Sequence, residues 1–490
     1  MSARAFHLED AGGDDAERTF SEATTKRPSD ARNGRDANLK YSKKGIELNW
    51  PMSKKIAIFG IMCFGDLRRA GRFCVMSCCF WSEIAVVATS IWSSLSAGPG
   101  AFDSFCASSA IAGLFCPTTQ VFSAGVIAQI FFLHQRGRAF AIYSTIYMVS
   151  PVAGPTFSAL IVQYHRWPIC FWWTVAANGL SAILFFLLGE ETGWDRVRNQ
   201  PPSSSPIPRT WLGRRCALFF PGTRVVAPGK AKNIKMSYSV FSKVFVSPIC
   251  ILSGIYNMIN YGWFVMAGVQ IPIILVAPRD QGGFGFSSNA TGYFYFSAWI
   301  GALIGVGYGV LINDRLPLWI KKRRGGVWHP EYRLHTAWFP GLVFAPIGLG
   351  LFGASVFYRL HFMALAVAEA MIVFGATACI PPAINYVIEV YKSHPQEVGT
   401  ALNVYRVSFT VAIQFFYAPW TLSVGPNWVW GISAFCTLFS CVLNAIPVLG
   451  GKRLRKLGLL PDEAAEEEEA QERILKSGDV RVVAEKDEYD

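Results

Sequence analysis

Ten windows of mostly apolar residues, each at least 18 residues long, recur between Phe73 and Leu449. They are Phe73–Leu95, Phe105–Leu133, Phe140–Val162, Ile169–Leu188, Ile249–Val276, Tyr293–Ile312, Ala337–Phe357, Phe362–Val387, Val398–Trp420 and Val429–Leu449. Each is long enough to cross the ~30 Å hydrocarbon layer of a bilayer as a helix. In lipid the backbone must satisfy its own hydrogen bonds, so runs of this length without polar alternation specify helices and not barrel strands. Composition agrees, since 52% hydrophobic and 16% charged residues lie far from the balance of a water-soluble chain. The expected fold is an all-α, polytopic helical membrane protein.

Orientation follows from positive charge, because Lys and Arg are retained on the cytoplasmic side during insertion. Alternate connections, among them the Arg136/Arg138 turn, the stretch 190–245 and the stretch 313–336, hold 22 basic residues. The opposite set holds three, Arg166, Arg279 and Arg359. The net charge of +12 belongs to this topology, and nucleic-acid binding is a poor reading of it. Ten spans place both termini in the cytosol. An eleventh apolar piece, Ile56–Gly65, offers only ~15 Å of helix and is expected to lie at the membrane interface or insert partially. The expected organisation is a disordered cytosolic tail over 1–53, an incomplete N-terminal helical bundle over 54–189 and a Pro/Ser-rich basic cytosolic linker over 190–245. A six-helix C-terminal bundle over 246–450 and a charged cytosolic tail over 451–490 complete it.

A carboxylate at membrane depth is costly, which makes Glu83 and Glu369 candidates for ion coupling. Asn257, Asn260, Tyr261 and Trp263 cluster with Tyr256 in one window, and amide plus aromatic groups suit amphiphilic organic cations or neutral drugs. Aromatic belts and interhelical hydrogen bonds use the same residues, so half of that cluster reads as structural. Tyr147 joins the binding candidates. Glu389 and Arg406, toward the cytosolic ends of adjacent windows, are expected to pair as a structural latch. Gly301, Gly305 and Gly309 mark close helix packing. Twelve cysteines show no metal-ligand spacing, the histidines form no H-E-x-x-H pair, and Gly222 to Lys230 fails the phosphate-loop pattern. Neither a catalytic constellation, a metal site nor a cofactor is expected. Asn289-Ala290-Thr291 is a glycosylation sequon in an expected outer loop.

The stretch "RGRAFAIYS" followed by "SPVAGPTFSA" (Arg136–Ala159) resembles the loop and fifth helix of the major facilitator superfamily, specifically its fungal drug:proton antiporter branch. Pro151, Gly154 and Pro155 match the antiporter motif, with Ser150, Ser158 and Ala159 where the motif has glycines. Further matches are "EETGWDR", "NDRL" with "GGVWHPEYRL", and "NYVIE", and the resemblance covers roughly Asn49 to Gly450. Weak similarity between Gln129–Ala139 and Glu389–Ala401 agrees with repeated halves. The resemblance implies two pseudo-symmetric helical bundles that rock around a midplane site. It implies secondary, proton-coupled export of small organic molecules by alternating access, from a monomer in the plasma membrane. It also implies a gating role for Asp66, Arg69 and Arg72 in the basic motif between the second and third family helices, for Asp314 and Arg315 in the parallel stretch of the second half, and for Arg136 in the loop before the fifth helix.

Two departures stand out. The family has twelve spans, whereas between Trp50 and Arg68 there is room for only a fragment of the first and none of the second. The family's fourth helix carries a coupling arginine, where this sequence has serines and alanines around Ser108. A truncated, transport-defective relative with a sensory role or none is therefore the alternative. A multispan enzyme would need a buried His or nucleophile constellation, which the sequence lacks.

Overall fold

The computed structural model describes residues 75–97, 101–115, 127, 133–188, 210–219, 234–313 and 315–477, with no strand among them. The first half contributes α1 (Val75–Ser96), α2 (Phe102–Phe115), α3 (Leu133–Tyr164) and α4 (Ile169–Leu188). Two short helices follow, α5 (Trp211–Phe219) and α6 (Ile234–Phe245), both inside the stretch read from sequence as a linker. The second half comprises α7 (Pro248–Val276), α8 (Ser288–Phe294), α9 (Phe296–Ile312), α10 (Arg315–Arg323), α11 (Ala345–Phe357), α12 (Phe362–Val390), α13 (Pro395–Val424) and α14 (Pro426–Lys456). A final helix, α15 (Glu463–Ser477), lies beyond it. Seven helical segments among the described residues are long and apolar enough to cross a membrane.

Local chemistry sets the helix ends. Ser247 caps α7, its Oγ accepting from the Cys250 amide, and Pro248 occupies the first turn, where a missing N–H costs nothing. Gly425, at φ 90°, turns the chain between α13 and Pro426, the first residue of α14. Other boundaries depart from the hydropathy windows. Arg136 and Arg138 lie within α3 (Leu133–Tyr164), so the expected turn there is helical backbone. The window Tyr293–Ile312 is broken at Tyr295 between α8 and α9, and the window from Ala337 opens with a 3₁₀ segment, Pro330–Ala337, and a π-helical turn, Pro340–Phe344. Most of the window Phe105–Leu133 beyond Phe115, and the piece Ile56–Gly65, lie outside the described residues.

In the second half α9 packs on α12, α11 on α12 and α14, and α7 on α13 and α14. Two of the glycines foreseen as packing points, Gly301 and Gly305, serve that role. A Cβ at Gly301 would lie 2.2 Å from the Ala370 carbonyl oxygen, and one at Gly305 would lie 1.9 Å from Thr377 Oγ1. The core between α7, α11, α13 and α14 is aromatic: Trp430 is fully buried, with Phe352 at 4.4 Å, Tyr417 at 5.9 Å and Trp263 at 6.1 Å between ring centroids. Hydroxyl pairs, by contrast, hold the first half. Ser93 and Ser108 are 2.8 Å apart, Ser96 and Ser104 2.9 Å, and Asn178 donates to Ser90 at 3.5 Å.

Candidate functional site

Helix α3 is the element of the first half that reaches across to the second, packing on α8, α9 and α12. Trp299 Nε1 of α9 donates to Thr156 Oγ1 of α3 at 3.0 Å, and Val152 of α3 is buried in the core of the second half. Pro151, Gly154 and Pro155 therefore stand on the seam. Gly154 is not where the helices approach closely, since a Cβ there would meet nothing within 4 Å. The tight approach falls at Gly292 of α8, whose Cβ position lies 3.1 Å from Leu160.

Arg406 sits at the centre of this seam. It is 4% exposed, and its guanidinium lies 4.3 Å from the Tyr147 ring of α3 and 4.5 Å from the Tyr261 ring of α7. One Nη donates to Tyr147 Oη and to Asn403 Oδ1. These residues stand 11 to 14 positions from the starts of α13, α3 and α7, or about 17–21 Å of helical rise. Arg406 is thus near the middle of its helix and not toward one end as the sequence suggested. A cation between one ring from each half ties them by stacking, an interaction of about 0.5–2 kcal/mol per ring depending on desolvation.

The expected Glu389–Arg406 pair is not formed. Glu389 instead accepts from Arg333 Nε at 2.5 Å, so its latch runs to the segment before α11. Hydropathy could not show this, because Arg333 falls in a connection whose fold depends on tertiary packing. The amide-aromatic cluster on α7 also divides. Asn260 Nδ2 donates to the Tyr256 carbonyl at 2.8 Å and to Ser440 Oγ of α14 at 3.1 Å, which makes it interhelical cement. Trp263 belongs to the aromatic core, within 6.3 Å of Phe409, Trp420 and Trp430. Asn257 is 1% exposed, and neither side-chain polar atom has a hydrogen-bond partner among the described residues.

Both membrane carboxylates are buried. Glu83 of α1 is 1% exposed and accepts from Ser181 of α4 at 3.4 Å. Glu369 of α12 is 2% exposed, and its Oε2 has no hydrogen-bond partner among the described residues. At Ser108, where the resemblance would place an arginine, a neutral hydroxyl pair takes the space. Asn289 is exposed in the first turn of α8, while Thr291 of its sequon is buried and donates to the Ser287 carbonyl. Arg315 is exposed at the start of α10. Asp66, Arg69, Arg72 and Asp314 lie outside the described residues, as does the side chain of Arg136.

Sequence reasoning missed one charge cluster altogether. Arg455, at the end of α14 and 2% exposed, places Nη1 2.9 Å from Glu331, Nη2 2.6 Å from Glu468 and Nε 3.2 Å from Asp462. Lys452 and His329 each approach Glu468 at 3.0 Å. Asp462 caps α15 by accepting from the Ala465 amide, and Gln471 accepts from the Trp328 amide at 2.9 Å, so α15 is strapped across the end of the second half. Gly451 makes room: a Cβ there would lie 2.1 Å from Glu331 Oε1. His329, Glu331 and Glu468 bring metal-ligating atoms within 4.8 Å of one another, but Arg455 already neutralises these carboxylates. Burial alone would raise the Glu468 carboxyl. The hydrogen bond from His329 and the charges of Arg455 and Lys452 overcome that and hold it at about 2.

A sequence model of the Major Facilitator Superfamily matches residues 56–413. An uncharacterized transporter of Schizosaccharomyces pombe is 24% identical over 358 residues, covering 71% of this chain and 69% of that protein. The MFS-type transporter penM of Penicillium rubens is 26% identical over 344 residues, covering 69% of this chain and 64% of the other. Among solved structures, the xylose transporter XylE from E. coli aligns with a TM-score of 0.46 at 12% identity, over 79% of this chain and 81% of that one.

Proposed function

Because the chain belongs to the major facilitator superfamily and is a multi-pass membrane transporter, we propose that it exports small organic molecules across the plasma membrane in exchange for protons, by alternating access. The single observation that carries the coupling is Glu369. A carboxylate 2% exposed, with one oxygen lacking a hydrogen-bond partner among the described residues, is costly to keep ionised in an apolar bundle. Taking up a proton removes that cost, so opening the helices around Glu369 to one side and then the other exchanges the proton.

Two further features support the reading. Pro151, Gly154 and Pro155 lie in α3, the helix that crosses the seam, and the Tyr147–Arg406–Tyr261 stack offers a contact that rocking would break and remake. Asn257, buried one turn from Tyr261 on α7 and without a side-chain hydrogen-bond partner among the described residues, is the polar group we assign to substrate positioning once the seam opens. Glu83, tied by Ser181 to α4, is a second protonatable group and lies in the first half.

The test is efflux of a fluorescent amphiphilic cation from proteoliposomes under an imposed pH gradient. Gradient-driven flux is expected for the native chain. Glu369→Gln should abolish the gradient dependence while leaving exchange of labelled for unlabelled substrate intact. Absence of gradient-dependent flux with correctly inserted protein would refute the exporter reading in favour of the transport-defective alternative.

A further inference from the structure

Only three arginines were assigned from sequence to the outer connections, and two of them, Arg279 and Arg359, meet at one cavity although 80 residues apart. The cavity lies at the end of the second half opposite the Lys321–Arg324 run. It is a half-open cleft of about 410 Å³ between the loop after α7 and the α11–α12 connection, within the size range of small-ligand sites. Arg359 Nη1 donates to the Arg279 carbonyl at 3.3 Å, and Arg279 Nε donates to the Phe284 carbonyl at 3.3 Å, so the loops hold one another.

The charged side chains that converge here are both cationic. Arg279, Arg359 and His361 line the cavity, and none of its lining residues among those described is acidic; Asp280, next to Arg279 in the chain, is not among them. His361 caps the 29-residue α12, its Nδ1 accepting from the Met363 amide at 3.3 Å, which places the positive end of that helix at the same wall. The apolar lining is aromatic. Phe286 packs edge-on against Phe284 at 6.1 Å and against Phe362 at 5.5 Å. Arginines recognise carboxylates through paired N–H donors, and rings recognise rings through stacked and edge contacts.

We propose that this cavity is a binding site for small aromatic carboxylates, separate from the seam at Arg406. The carboxylate is bound by Arg279 and Arg359, and the ring lies among Phe284, Phe286 and Phe362. The backbone of Arg359 adds an argument from cost: its φ of 50° is a conformation that glycine adopts more cheaply, and an arginine there places its guanidinium at the cavity. The same feature supplies a clean variant, because Arg359→Gly removes the side chain while suiting the backbone.

The experiment measures binding of benzoate, benzamide and acetate to the full chain in nanodiscs of neutral phosphatidylcholine, with no gradient, so its result is independent of transport. Saturable benzoate binding is expected, at least tenfold tighter than that of benzamide or acetate. Arg359→Gly should weaken it tenfold or more in protein that remains folded and monodisperse, and Arg279→Lys should weaken it less than Arg279→Ala. Equal binding of benzamide, or unchanged benzoate binding in Arg359→Gly, would overturn the proposal. So would loss of benzoate binding on adding phosphatidylglycerol, which would reassign the basic wall to lipid headgroups.

Discussion

Replacing Arg455 by Met keeps a similar stem and removes the charge that three carboxylates share. Its guanidinium lies 2.6, 2.9 and 3.2 Å from Glu468, Glu331 and Asp462. Removing one partner of a buried ion pair costs about 3–5 kcal/mol, because the remaining charge is left unpaired. Asp462 and Glu468 can escape that cost, since both ride on the strap and regain water if α15 lifts away. Glu331 cannot, being wedged against Gly451. The energy should therefore appear as strap release, raising the undocked population by about two to three orders of magnitude, and less as global unfolding. Hydrogen exchange of the amides in 463–473, measured on the full chain in nanodiscs, reads this directly. Acid gives an independent route to the same state. With its carboxyl at about 2 when docked against 4.5 when free, Glu468 contributes stability that is complete above about pH 4.5 and is lost as pH falls toward 2. That difference corresponds to roughly 3 kcal/mol. Unchanged exchange in Arg455→Met, or strap protection that strengthens as pH falls from 5 to 3, would refute the reasoning.

Gly305→Ala should lower the thermal midpoint, at a cost of about 1–3 kcal/mol for forcing α9 off Thr377 of α12. Gly307→Ala, where a Cβ would meet nothing within 4 Å, should be neutral or gain up to about 1 kcal/mol from helix propensity; equal effects would contradict the packing account. A double-mutant cycle of Asn260→Ala and Ser440→Ala should return a coupling near 0.6 kcal/mol, and a zero coupling would remove the α7–α14 hydrogen bond from the account. Arg406→Lys, which keeps charge but loses the planar stack, should slow substrate exchange more than Tyr147→Phe, which keeps the ring and loses one acceptor. The reverse ranking in a vesicle exchange assay would argue for the hydrogen bond over the stack.

The membrane fold and its helical character were legible from hydropathy, because span length and apolarity are local properties. The helical backbone over Arg136 and Arg138 was not, since charged residues end an apolar window without ending a helix. Nor was the partner of Glu389, because Arg333 reaches it only through the folded path of Pro330–Ala337. Asn260 and Trp263 looked like ligand contacts because composition cannot distinguish an amide facing a ligand from one facing Ser440, or a ring in a pocket from one in a core. Burial of Glu83 and Glu369 was legible, since a lone acid within an apolar window has nowhere else to go. The strap was hidden for the opposite reason: the acidic stretch after Pro461 looks like a solvated tail until Arg455 is seen beneath it.

The rings around Arg406 come from opposite halves, and that has a thermodynamic corollary. On the alternating-access reading proposed above, a ligand that displaces the guanidinium from Tyr147 or Tyr261 shifts the balance between open and closed seams, and by reciprocity opening changes that ligand's affinity by the same factor. Cargo and conformation are then two readings of one equilibrium constant, with a single side chain as the point where they are joined.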